Sequence, residues 1–489
     1  MNLNELTIKE ANEGLKKKDF SSLELTKACL AQIKKTDDKI KSFITVTSDL
    51  ALQQAKASDK VGDFSDPLTG IPLAVKDCFC TKDVKTTGGS KILQNYIPPY
   101  SATTIEKLEA KKSVMLGKVN LDEFTMGSST ENSGFFPTHN PWDLSRVPGG
   151  SSGGSASAVC ANQTLFALGT DTGGSIREPA SFCGITGLKV TYGRVSRYGV
   201  MSYASSFDTI GPLTKTVEDA AMVLNALAGA DAKDSTTPPV AVPDYTANLS
   251  KDIKGMKIGV PKEYFVAGMD PQVEKTIKQA IAKFEDLGAK VSEVSLPLTK
   301  YAIATYYILV KSEASANLAR YDGVRYGYSA KAETLLDNYL QSRAQGFGPE
   351  VKRSIMMGTY TLSAGYYDAY YLKAAKVRTL IKQDFEKVLS QVDCLMTPVA
   401  PTVAFKLGEK VDDPLTMYLA DIFTISMNIA GVPALSIPCG FVKPKDGKTE
   451  MPVGLQIIGK QFAEGTILQI GHNFQKASDW HKRQPIIEE

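Results

Sequence analysis

Three short segments carry residue types that can do chemistry together. The first, Gly70-Ile71-Pro72-Leu73-Ala74-Val75-Lys76, sets a lysine at the end of an apolar run. A lysine there is poorly placed for solvation and is a candidate general base. It must then be neutral, and moving its pKa from ~10.4 to near 7–8 amounts to ~4 kcal/mol of destabilisation of the ammonium, which burial can supply. The competing reading is a buried ion pair with Asp77 or another acid. The second segment is Gly149-Gly150-Ser151-Ser152-Gly153-Gly154-Ser155. It matches the G-x-S-x-G nucleophile elbow twice, centred on Ser151 or Ser152, but an elbow needs a strand before the serine, a helix after it, and an acid and a histidine downstream. Of the three histidines (His139, His472, His481) only the last two follow, near the end of the chain. A flexible Gly/Ser loop without catalysis is the alternative. The third segment is Thr170-Asp171-Thr172-Gly173-Gly174-Ser175-Ile176-Arg177. Two glycines before a serine let the N–H groups of Thr172 to Ser175 converge on one concavity able to hold an oxyanion. Here a Cβ would block the approach of backbone to substrate. A plain strand-ending turn is its alternative. Lysine–serine catalysis is a variant of the histidine-based triad.

Such groups must be positioned by buried elements, and the patterning predicts them. The first forty residues look helical, with a capping box from Ser21 to Glu24 ahead of Leu25, Cys29, Leu30 and Ile33. Residues 70–76 read as a buried strand, 103–111 as a helix, 113–116 and 164–168 as strands. Thr216-Val217-Glu218-Asp219 opens a capped helix through Leu227. The polar, Pro-rich stretch 230–250 reads as a surface excursion. A strand at 256–260, a helix starting at Asp270-Pro271 and a strand at 289–294 form a βαβ signature. Residues 301–390 are mainly helical and rich in tyrosine, and strands return near 435–437 and 453–458. No repeat or linker divides the chain, so one α/β domain wrapped by helices is expected.

Composition narrows the function. The 489 residues are 43% hydrophobic and 22% charged, which excludes disordered and fibrous classes. A net charge of +3 lacks the single-sign field of a dedicated nucleic-acid binder, and the Lys-rich pieces near residues 16–18 and 34–41 read as solvated helix faces. Seven scattered cysteines do not make a secreted disulfide framework, and no second Cys/His pair stands at metal spacing. Neither G-x-x-x-x-G-K-[ST], G-x-G-x-x-G nor H-E-x-x-H occurs. No apolar stretch approaches the ~20 residues of a bilayer span, and the polar start is unlike a signal peptide. A soluble, cytoplasmic protein without a membrane partner is the expectation.

Lys76, the Gly149–Ser155 segment and Asp171-Thr172-Gly173-Gly174-Ser175 together resemble the amidase signature family. The spacing agrees with that family's Lys–Ser–Ser triad, Ser151 falling 75 residues after Lys76 and Ser175 a further 24 on. The resemblance implies an α/β fold, a single large domain over 1–489 with a twisted mixed sheet covered by helices on both faces. Its signature core would span about 65–230 and its helical, substrate-pocket region about 300–430. It further implies Ser175 as nucleophile, Ser151 as proton relay in a cis peptide, Lys76 as base and Ser152 as a structural hydroxyl. Thr172, Gly173, Gly174 and Ser175 would form the oxyanion hole, and the elbow match becomes coincidental. Asp171 and Arg177 would brace the glycine turn.

Within the family, Asn140-Pro141-Trp142-Asp143, residues 322–327, residues 365–371 and Asp421-Ile422-Phe423-Thr424 are similar to the glutamine-hydrolysing subunits of tRNA-dependent amidotransferases. That likeness implies glutamine as substrate, its α-carboxylate met by Arg353, its α-ammonium by Asp421, with Tyr306 and Gly127 lining the pocket. Tyr307 can exchange with Tyr306 in that role. It implies conversion of Glu-tRNA(Gln) to Gln-tRNA(Gln) in a heterotrimer. A B subunit would carry the charged tRNA, ATP and Mg²⁺, a small C subunit would clasp this chain, and this chain itself would hold no cofactor or metal. The alternatives are a free-standing amidase for another small amide and an inactive scaffold subunit.

Overall fold

The computed structural model describes residues 2–266 and 268–487. Among them, eleven strands make one continuous mixed sheet. They are β1 (Phe43–Val46), β2 (Pro72–Lys76), β3 (Val114–Val119), β4 (Phe166–Asp171), β5 (Thr186–Lys189), β6 (Thr209–Thr214), β7 (Lys257–Pro261), β8 (Lys290–Val294), β9 (Cys394–Pro398), β10 (Ala434–Val442) and β11 (Met451–Ile458). Their order across the sheet is β1-β3-β2-β4-β6-β5-β10-β11-β9-β7-β8. β2 runs parallel to both β3 and β4, and β7 parallel to β8 and β9, while the middle of the sheet is antiparallel. Every residue of β2, β3, β4, β6 and β9 is buried. Such strands need cover on both faces, and the flanking helices provide it.

The local rules hold where they are strongest. Ser21 caps the helix Ser22–Ile40 in a complete capping box with Glu24. Asp270 caps the helix Pro271–Asp286, which joins the parallel pair β7 and β8 as the βαβ reading requires. Thr216 caps Val217–Leu227. Residues 230–250 hold no helix or strand and are pinned by buried Tyr245 and Leu249. The region 301–390 supplies the helices Ala302–Asn317, Leu335–Gly346, Pro349–Leu362 and Lys373–Leu389.

Other expectations need correction. The strand placed at 164–168 begins at Phe166, where pairing with Leu73 of β2 starts, and runs on to Asp171. β6 (Thr-Ile-Gly-Pro-Leu-Thr) carries two residues that weaken a strand assignment, yet it lies inside the sheet. A Cβ on its Gly211 would stand 1.9 Å from the Leu188 carbonyl oxygen, so glycine there permits the close approach of β5. The Gly/Ser segment is no flexible loop: Gly153–Cys160 is a helix with every residue buried. A Cβ on Gly154 would meet the Asn120 carbonyl oxygen at 2.4 Å, so the glycines serve close packing.

Candidate active site

The site forms at the carboxyl ends of neighbouring parallel strands, where open α/β sheets bind ligands. Lys76 closes β2 and Asp171 closes β4. Lys76 is fully buried, and its Nζ lies 2.9 Å from Ser151 Oγ, 2.8 Å from Ser152 Oγ and 2.8 Å from Thr170 Oγ1. Burial pushes its pKa down to about 8, although Asp122, Asp171 and Asp208 pull the other way.

A lowered pKa does not by itself pick out a base. Lys189 is pushed lower, to about 7, also by burial. The difference lies in the partners. Lys189 donates to the carbonyls of Val190 and Val432, Lys118 to the Phe79 carbonyl and Thr86 Oγ1 with the Asp77 carboxylate at 3.4 Å, Lys215 to the carbonyls of Asn4 and Leu6, and Lys311 to the Glu350 carboxylate and Ser354 Oγ. Each of them thus meets at least one carbonyl or carboxylate oxygen, which only accepts and so favours an ammonium. The partners of Lys76 are three hydroxyls, which can donate as well as accept. Of these lysines, Lys76 is the one whose hydrogen-bond partners among the described residues are all hydroxyls, with no carbonyl or carboxylate holding its ammonium.

The serine loop is shaped for this contact. The Gly150–Ser151 peptide is cis. Ser152 occupies the N-cap of the helix Gly153–Cys160 but makes no cap hydrogen bond. Its Oγ instead donates to the Thr170 carbonyl at 3.1 Å and accepts from Lys76. The Ser152 N–H donates to the Ser175 carbonyl at 3.2 Å, fastening the loop to the third segment. The Ser175 hydroxyl makes no hydrogen bond among the described residues, and the residue opens onto a cleft shared with Gly127, Gly173, Tyr306, Arg353 and Asp421. The structure therefore brings Lys76 to Ser151 directly and Ser152 to the Ser175 backbone; no Ser151–Ser175 hydroxyl contact is made. Among the described residues no strand leads into Ser151 and no histidine lines the cleft, so the elbow reading fails.

Asp171 and Arg177 form a fully buried pair through Arg177 Nε and Nη2, both at 2.9 Å. Burial alone would raise the Asp171 carboxyl; the guanidinium overrides it and holds the group well below the usual carboxylate range. Asp171 also accepts from the N–H groups of Gly174 (2.9 Å) and Ile176 (3.2 Å). Gly174 was a candidate oxyanion donor, and its N–H is taken. The N–H groups of Gly173 and Ser175 make no hydrogen bond among the described residues. A Cβ on Gly173 would come within 2.3 Å of the Tyr306 hydroxyl, so this tyrosine packs against the oxyanion turn as well as lining the cleft.

On the opposite wall, Asp421 accepts from Ser128 Oγ at 2.7 Å and from Tyr307 Oη at 3.0 Å. Burial pushes its pKa up to about 7. Arg353 lines the cleft with its side chain 40% exposed and is paired to Glu350, which also takes Lys311 and, at 2.9 Å, Tyr418 Oη. Gly127 lies against the Asp122 carboxyl, where a Cβ would clash at 2.5 Å. Sequence reasoning missed Thr170, Ser128, Glu350 and Tyr418. Thr170 left a trace, a hydroxyl ending an apolar strand two residues before Thr172; the others gave none.

This arrangement of lysine, paired serines and glycine turn has counterparts. A family model described as Amidase matches residues 24–468. The chain belongs to the amidase family. It is 57% identical over 491 residues to a Geotalea daltonii protein named as the A subunit of glutamyl-tRNA(Gln) amidotransferase, covering 100% of both chains. A Carboxydothermus hydrogenoformans protein of the same name is 56% identical, again over 100% of both. Among solved structures, the protein of that name from Thermotoga maritima matches with a TM-score of 0.80 and 41% identity, over 100% of this amidase and 98% of that chain.

Proposed function

We infer that this amidase is the glutamine-hydrolysing, ammonia-producing subunit of a tRNA-dependent amidotransferase that converts Glu-tRNA(Gln) to Gln-tRNA(Gln). The Lys76–Ser151 contact would serve any amide; what carries the choice of substrate is 57% identity along the full length of a relative bearing that name.

In this reading neutral Lys76 takes the Ser151 proton as Ser151 takes that of Ser175. Ser175 Oγ attacks the side-chain carbonyl carbon of glutamine, and the amide oxygen becomes an oxyanion. The free N–H groups of Gly173 and Ser175, with that of Thr172, face the developing charge. Removing one such donor costs on the order of 10²–10³ in kcat elsewhere. Collapse breaks the C–N bond, and the proton returns through Ser151 to the departing ammonia. Water then attacks the γ-glutamyl ester on Ser175 with the same base, releasing glutamate. Asp421 meets the α-ammonium and Arg353 the α-carboxylate, Arg353 exchanging part of its contact with Glu350 for the substrate. Tyr306 and Gly127 shape the pocket.

The setting proposed is a cytoplasmic heterotrimer with a B subunit that binds charged tRNA, ATP and Mg²⁺ and uses the ammonia, and a small C subunit. This chain would hold no cofactor or metal. The test is purification with co-expressed neighbours, followed by ammonia release from glutamine with and without Glu-tRNA(Gln) and ATP. Stimulation by both ligands is expected; vigorous, ligand-indifferent hydrolysis of many amides would replace this reading with a free-standing amidase.

A further inference from the structure

Asp208 is nine-tenths buried and takes no direct part in the chemistry above. Its Oδ1 accepts from Thr172 Oγ1 at 2.7 Å. Its Oδ2 accepts from the Tyr203 N–H and from Ser202 Oγ, each at 3.0 Å, and the Ala204 N–H lies 3.2 Å from both oxygens. Thr172 begins the proposed oxyanion turn, and Tyr203 lines the same cleft. One carboxylate therefore joins the turn that would carry the oxyanion donors to the wall that would contact substrate. The far end of the same turn has its own acid, Asp171, on the Gly174 and Ile176 amides. The Thr172–Ser175 turn is held at both ends by a carboxylate.

We propose that Asp208 is a positioning residue for the amidase reaction, fixing the Thr172 end of the oxyanion turn through the Thr172 hydroxyl. The proposal rests on the oxyanion role assigned to this turn. A free turn would have to order itself as charge developed; a turn fixed beforehand does not. The energetic signature is a loss in kcat with little change in KM, because the ground-state amide oxygen draws less on these donors than the oxyanion does.

A merely structural tie predicts loss of stability without a selective loss in kcat, so recovery of kcat by a hydroxyl at position 172 separates the two, and the titration of the base reports the charge of Asp208 independently. Asp208 is one of the acids that raise the pKa of Lys76. The Arg197 guanidinium and the Tyr203 and Tyr306 rings lie within the field of Asp208, and Lys233, Asp234 and Arg320 line the pocket it opens on. Replacing Asp208 by a neutral isostere removes a negative charge that favours the Lys76 ammonium. The rising limb of activity, which needs neutral lysine, should then move to lower pH.

The experiment uses the co-purified complex with glutamine. D208N is expected to lower kcat about 10–100-fold with KM changed less than about 3-fold, and to shift the rising limb of the kcat profile downward in pH. T172V should give a similar loss in kcat without the pH shift, T172S should recover most of it, and D208N/T172V should be no slower than the worse single variant. If D208N fails to fold, T172V against T172S reads the same tie from its other end. Losses that multiply in the double variant, a T172S as slow as T172V, or a D208N that raises KM alone would overturn the proposal. Should the unmodified complex release no ammonia from glutamine, the substrate reading fails instead, and the same variants are compared on an amide it does cleave.

Discussion

The cleft has two walls built in different ways. On the sheet side, residues 164–191 are buried without interruption, and the functional groups are tied to one another through oxygens and amides at both ends of a glycine turn. On the helical side, Tyr307 and Lys311 come from the helix Ala302–Asn317, Glu350 and Arg353 from Pro349–Leu362 and Asp421 from a turn, while Met356 and, on the neighbouring helix Leu335–Gly346, Leu335, Leu336 and Leu340 are more than half exposed. The first wall is dense and fixed by its own hydrogen bonds. The second is an assembly of side chains that meet around two carboxylates, Lys311, Arg353 and Tyr418 at Glu350 and Ser128 and Tyr307 at Asp421. The difference assigns roles: bond making requires atoms fixed before the reaction, whereas recognition tolerates side chains that change partners as substrate arrives.

The sharpest way to break this division is at Lys76. K76M keeps the apolar stem and removes the amine in contact with Ser151, so ammonia release should fall by about 10⁴-fold or more with the fold intact. A variant retaining even a tenth of the activity would show that the sheet wall does not carry the proton. A second cut on the same wall is R177M. It leaves the fully buried Asp171 without its cation, and such uncompensated charges cost about 3–5 kcal/mol. Denaturant unfolding of the variant should show a loss of that size, and one below about 1 kcal/mol would mean that Asn428 and the turn amides suffice to hold Asp171.

The contrast between the walls also explains what could be read from the amino acids. The sheet wall was legible because its constraints are local: a lysine closing an apolar strand, and glycines where neighbouring atoms leave no room for a Cβ. Even there the helix Gly153–Cys160 was hidden, since glycine weakens helix propensity and only packing against Asn120 and Thr130 makes the segment helical. The helical wall was legible only by likeness. Nothing near Glu350 indicates that Lys311, 39 residues away, Arg353 and Tyr418 will converge on it, because that convergence is fixed by how helices pack. Likewise β6 was missed because its glycine and proline obey the neighbouring strands rather than strand propensity.

Recognition can be separated from chemistry by pH. In the proposed roles, Asp421, whose pKa is pushed up to about 7, must be ionised to hold the α-ammonium, and Lys76, whose pKa is pushed down to about 8, must be neutral. Both requirements fail as pH falls, so kcat/KM for glutamine should rise through both values. Bound glutamine keeps Asp421 ionised, so kcat should follow the lysine alone. D421N should raise KM for glutamine about 10–100-fold, the loss of one charge-assisted contact, and leave kcat within about 3-fold. A D421N complex with unchanged KM would move ammonium recognition elsewhere on the helical wall.

Arg353 tests the smallest difference. Its side chain is 40% exposed and already bound to Glu350, so solvent screens part of its attraction for a carboxylate and the pair must loosen before substrate is held. R353A should therefore raise KM only about 3–10-fold, less than D421N, with kcat unchanged. The reason is an exchange of partners: in the proposed role substrate would replace one carboxylate on the guanidinium with another, so only the difference between the two contacts would reach KM. E350Q sharpens the point. It weakens the competing contact while keeping the side chain's shape, and it should lower KM if Glu350 acts mainly as a competitor. If E350Q instead raises KM as far as R353A does, Glu350 is the scaffold that aims Arg353, and the helical wall is as firmly built as the sheet wall it faces.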